Sequence, residues 1–135
     1  MSKFSLRWAE NSPESRTLEL CVDGLSFLEH VRRWELEQCP EPALAGDYAA
    51  YTALFRMMLE RCSPGQISEI AILNCPCGDS FCWPLEAQME TTDRHVIWSR
   101  FVQPHRRDTW TYEGFGPFIF ERVEFTEAID DILDA

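Results

Sequence analysis

Lysine is almost missing from this sequence: Lys3 is the only one in 135 residues. Basic residues number 12 against 23 acidic ones, which gives a net charge of −11 and a pI near 4.6. That deficit excludes a protein built around phosphate backbones, which such a charge repels. Long hydrophobic runs are also lacking, so no stretch has the length of a membrane-spanning helix. The N-terminus, Met1 to Asn11, alternates apolar and polar residues and has no signal-peptide core. A cytoplasmic, soluble protein is expected. Glycine is scarce, at six residues, and no glycine-rich phosphate loop can be written from them. G-x-S-x-G, H-E-x-x-H and acidic metal-loop patterns are absent as well. Gly114-Phe115-Gly116-Pro117 is too short and too aromatic to cradle a phosphate. No repeat and no low-complexity segment is present.

What is there is enough for one domain, residues 1–135, with 45% hydrophobic and 26% charged residues. A chain of this mass buries about two-thirds of its unfolded surface, so it folds without covalent staples. Of the 17 aromatic residues, eight lie between Trp98 and Phe125, which places much of the packing in the C-terminal third. Eleven of the 12 basic residues are arginine, a count that a GC-rich genome produces by codon usage alone.

Hydrophobic periodicity divides the chain into elements. Phe4, Leu6 and Trp8 alternate with polar residues, as do Leu18, Leu20 and Val22, which predicts a hairpin across the loop at Asn11–Ser15. Asp23-Gly24 closes the second strand. Ser26 and Glu29 have capping-box spacing ahead of Phe27, Leu28, Val31 and Trp34, a helix that Pro40 ends near Cys39. Asp47 is placed to cap a second helix carrying Tyr51, Leu54, Phe55, Met58, Leu59 and Cys62 on one face. Ile67 to Asn74 reads as a central strand. Trp83 to Glu90 and His95 to Val102 read as a pair of strands around Thr91-Thr92-Asp93. The aromatic stretch from Thr109 to Phe120 adds one or two short strands. Phe125, Ala128, Ile129, Ile132 and Leu133 form the apolar stripe of a C-terminal amphipathic helix. The expected fold class is α+β, a mainly antiparallel sheet with helices packed on one face.

Two segments carry chemistry. The first is Cys75-Pro76-Cys77-Gly78-Asp79-Ser80-Phe81-Cys82, with three thiols in eight residues. Zinc takes four ligands in a tetrahedron and thiolate suits it. Cys75, Cys77 and Cys82 are therefore metal candidates, with His105, then His95, then Cys62 as the fourth ligand. The bland alternative is three small, buried, reduced side chains; thiol exchange is a third reading. The six cysteines are not read as a disulfide framework, because a chain of this size without a secretory signal does not need one. The second segment contains Arg100, His105, Arg106 and Arg107. It offers an anion-binding cluster, or arginines that pair with the chain's own carboxylates. His30 reads as an ordinary helix residue.

These motifs, Asn74-Cys75-Pro76-Cys77-Gly78 with Cys82-Trp83-Pro84-Leu85, Trp98 with Phe101-Val102-Gln103-Pro104-His105-Arg106, and Trp110, Tyr112 and Phe115 to Arg122, resemble a family of small uncharacterised bacterial proteins. The shared pattern is CxCG…CWPL, W..F.QPHR and GPF.F.R over roughly residues 67–135. The resemblance implies no activity. Phe81 departs from the glycine that such proteins commonly carry before the last cysteine, which weakens a tight sulfur-ligating turn here.

Three function classes follow. The leading expectation is a protein-interaction module whose acidic surface neutralises a basic protein partner, by analogy of type with immunity proteins. The second is a zinc- or thiol-dependent site on Cys75, Cys77 and Cys82. The third is an enzyme that uses Arg100 and His105 on a small anionic substrate. No catalytic residue is assigned. Charge is also local: Glu121 to Ala135 holds six acids against Arg122, while Arg94 to Arg107 holds four arginines, two histidines and no acid.

Overall fold

A computed structural model describes residues 2–8, 17–38, 48, 50–74, 84–104 and 111–133. The N-terminal hairpin forms as its alternation requires. Strands β1 (Phe4–Trp8) and β2 (Thr17–Val22) pair antiparallel, with Phe4 opposite Val22 and Leu6 opposite Leu20. Asp23 and Gly24 both take positive φ, 55° and 81°. Two such residues make a tight turn whose twist matches the strands. The chain therefore returns along β2 as a short strand β3 (Leu25–Ser26) before helix α1 (Phe27–Gln38) begins. Ser26 stands just ahead of α1 as expected, while the Glu29 carboxylate is engaged by Arg33 Nε at 3.3 Å.

Helix α2 (Thr52–Glu60) starts later than the sequence pattern indicates. Tyr51 is not on its face: Ala50–Tyr51 form strand β4, which pairs with Leu18 and Thr17 of β2. Asp47 lies outside the described residues. Strands β1 to β4 thus make one antiparallel sheet.

A second antiparallel sheet runs in the order β5 (Ile67–Leu73), β6 (Leu85–Thr91), β7 (His95–Val102), β8 (Phe118–Glu121). The sequence leads one to expect a single sheet with Ile67–Asn74 at its centre. There are two sheets, and β5 is an edge strand. The apolar run at its end has another cause. The register shifts between Ala71 and Leu73, and the irregularity sends both Ile72 and Leu73 into the core.

Helix α3 (Arg122–Leu133) follows β8 directly and buries Phe125 and Ile129, as its stripe predicts. Asp130 and Asp131 face water. The core joins the inner faces of both sheets to the helices. Trp98 sits fully buried at the centre, with Phe4 of β1, Phe27 of α1, Phe120 of β8 and Phe125 of α3 ringed about it at centroid distances of 4.9 to 5.9 Å. Edge-on contacts of this kind add to the burial itself. No helix among the described residues is long and apolar enough to cross a membrane.

Candidate functional site

The second sheet has two unlike faces. Its inward face carries Ile70, Leu85, Ala87, Met89, Thr91, Val96, Trp98 and Phe120, all buried. Side chains alternate along each strand, so the opposite face follows from the register. Ile67, Glu90, Ile97 and Ile119 stand in one cross-strand row, Glu69, Gln88 and Ser99 in the next, and Ala71, Glu86 and Val102 in the third. His95 and Glu121 pair at the far corner. These residues are half-buried or exposed, and Ile67 is 59% exposed. Among the described residues, none of Glu69, Glu86, Glu90 or Glu121 is in an ion pair. Among the described residues, the face sets carboxylates that have no ion-pair partner around a row of isoleucines.

A bulge interrupts this face. Gln88 pairs with Ser99 but Glu86 with Val102, so β7 holds one residue more than β6. Arg100 occupies the bulge with φ 53° and is exposed. Left-handed backbone is uncommon for a residue with a side chain. Neither Arg100 nor Arg94 forms an ion pair among the described residues. The internal pairing with the chain's own acids that the sequence offers for Arg100 is therefore not found among the described residues. An enzymatic role for Arg100 gains nothing from an exposed position.

The end of the sheet where β5 stops and β6 begins has a different character. There α1 presents Glu35, which has no exposed surface. Tyr48 donates its hydroxyl to Glu35 Oε2 at 2.8 Å, and the Tyr112 hydroxyl donates to the same oxygen. Gln103, also buried, bonds Tyr48. Burial first, then the neighbouring Glu35 charge, pushes the Tyr48 phenol far above its ordinary range. Tyr112 rises for the same first reason, then through Tyr48 and Glu35. Both phenols therefore remain protonated donors. The end of α1 also grips the segment after residue 110. Trp34 Nε1 donates to Thr111 O at 2.7 Å, and Thr111 N donates to Gln38 Oε1 at 2.7 Å. Phe115 then packs among Phe27, Trp34, Phe101 and Phe118. Gly116 makes the close turn, because a Cβ there would meet Phe118 and Phe101 at 3.2 and 3.3 Å.

No family model, no curated protein and no solved structure matches the chain. The site must therefore be read from its own residues. Cys75, Cys77, Cys82, His105, Arg106 and Arg107 lie outside the described residues. Among those described, no group of three or more His, Cys, Asp or Glu side chains could hold a metal ion. Two of the fourth-ligand candidates, Cys62 and His95, are among the described residues. Cys62 follows α2 and accepts a contact from Thr91 Oγ1 at 3.9 Å, at the far end of β6 from Leu85. Burial raises its thiol pKa, which disfavours the ligating thiolate. His95 opens β7, whose other end is Val102. His30 is the ordinary helix residue expected, with Nε2 donating to Val22 O at 3.0 Å.

Sequence reasoning missed the Glu35 cluster. Its signal was present: Glu35 falls four residues after Val31 and eight after Phe27, in the apolar stripe of α1. An acid at such a position needs partners.

Proposed function

We propose that this chain is a cytoplasmic protein-interaction module that binds a basic protein partner through the outer face of its second sheet. The observation that carries the reading is the register itself. It gathers Glu69, Glu86, Glu90 and Glu121 around Ile67, Ile97 and Ile119 on the side away from the core. Carboxylates with no ion pair among the described residues steer a cationic partner, and the apolar row supplies contact area once it arrives. The net charge of −11 favours the same partner and disfavours nucleic acid. An immunity-like neutralising role fits this surface.

The test is a low-salt affinity capture with the chain as bait, run beside a variant carrying Glu69→Lys, Glu86→Lys, Glu90→Lys and Glu121→Lys. The expected result is a basic protein retained by the native face and lost from the reversed one. Capture that is identical for both baits, or no partner for either, contradicts the reading.

A further inference from the structure

The outer face of the second sheet is small and bounded. Neighbouring strands lie about 4.8 Å apart and successive rows about 7 Å apart, so its rows cover about 400 Å². One side of a standard protein interface is about 800 Å². The face therefore fits one element of a partner better than the surface of a whole domain. A partner strand adds at a sheet edge, through backbone hydrogen bonds. An element laid on a face must offer side chains, and a helix offers them along one stripe.

Charge sets the direction of that element. Arg94 stands in the turn before β7 and Arg100 in the bulge within it. Both are exposed, and neither forms an ion pair among the described residues. A cationic helix laid along the strands would run toward these arginines. Laid across the strands, it follows the row Ile67, Glu90, Ile97 and Ile119 between them. Glu69 lies two residues beyond Ile67 on one flank of the row, and Glu121 two beyond Ile119 on the other.

Spacing agrees with this course. Counted from Ile67, the strand separation puts Glu90 at about 5 Å, Ile97 at about 10 Å and Ile119 at about 14 Å. A helix rises about 1.5 Å per residue, so apolar residues at i, i+7 and i+11 come within side-chain reach of the three isoleucines. Those positions form one stripe. A basic residue at i+4 then meets Glu90, and basic residues beside the stripe reach Glu69 and Glu121.

We propose that the element this face holds is a basic amphipathic helix of about three turns, laid across the strands along Ile67, Glu90, Ile97 and Ile119. The inference rests on the reading of the outer face as a binding surface and names what that surface takes. A second copy of this chain is disfavoured there, because it would set carboxylates against carboxylates.

The experiment titrates the full chain with two synthetic 14-residue peptides of identical leucine and lysine composition. One carries its leucines at helical spacing, the other at strict alternation. Calorimetry at low salt gives the affinities, and circular dichroism follows helix formation in the peptide. The helical-pattern peptide should bind about tenfold more tightly than the alternating one and gain helix as it does. Ile97→Ser and Ile119→Ser should each weaken it about fivefold. Val123→Ser, on the exposed side of α3, should leave it unchanged. Equal affinity for the two peptides overturns the proposal, as does binding that is indifferent to Ile97 and Ile119, or no binding at all. The variant with Glu69, Glu86, Glu90 and Glu121 reversed to lysine separates the two claims. If both peptides bind the native chain equally and both are lost from this variant, the acidic face stands and the helix does not. If both bind the variant as before, the reading of the face fails as well.

Discussion

The two faces of the second sheet are made by the same three strand pairings and have opposite chemistry. On β6, Leu85, Ala87, Met89 and Thr91 are buried, while Glu86, Gln88 and Glu90 between them are not. On β7, Val96 and Trp98 are buried beside the half-exposed Ile97 and Ser99. A one-residue slip would exchange the faces, so burial of Trp98 and Met89 fixes where the carboxylates stand. The difference separates two duties. The inner face determines whether the chain folds, and the outer face, which has little part in that, is the face proposed above to meet a partner.

The comparison breaks first on the inner face. Trp98→Ala removes the ring that joins β1, α1, β8 and α3, and should cost about 3–5 kcal/mol, read by urea unfolding. A loss below about 1 kcal/mol would mean the core does not centre there. The buried end comes next. Glu35→Ala strands the Tyr48 and Tyr112 hydroxyls without their acceptor, at about 1–3 kcal/mol for each group. Glu35→Gln keeps an acceptor and should cost less. Equal losses for the two variants would show that volume, not hydrogen bonding, matters at this position.

The outer face should respond weakly to the same measurement. Each of Glu86→Lys and Glu90→Lys should shift stability by no more than about 0.5 kcal/mol. The smallest effect concerns the exposed pair on the first sheet. Arg7 Nη2 lies 2.7 Å from Glu19 Oε1, and this hydrogen-bonded contact lowers the Glu19 pKa. A carboxylate depressed by folding adds stability above its unfolded pKa and loses it as pH falls through the folded value. NMR titration should therefore find the Glu19 midpoint below the ordinary carboxylate range, and Arg7→Met should return it upward.

Strand alternation made most of this architecture legible in the sequence. Phe4, Leu6 and Trp8, the β6 pattern, the bounds of β7 and the stripe of α3 all lie where period and turn chemistry put them. Pairing between distant segments was not legible. Leu18 and Thr17 recruit Ala50 and Tyr51 as a strand, which overrides the helical spacing of Tyr51. The bulge at Ala71 made an edge strand look central. The acids of β6 were visible as its wet side, but only the register brings Glu69 and Glu121 to that same face. Glu35 was hidden because its partners, Tyr48 and Tyr112, lie 13 and 77 residues away along the chain.

The central claim is that the outer face binds while the inner face folds. Its most direct test is the dissociation constant of the captured basic partner as a function of salt, for the native chain and for the four-lysine variant. Affinity should fall steeply with salt for the native chain and be lost in a variant that still melts cooperatively. A salt-independent affinity, equal for both proteins, would contradict it.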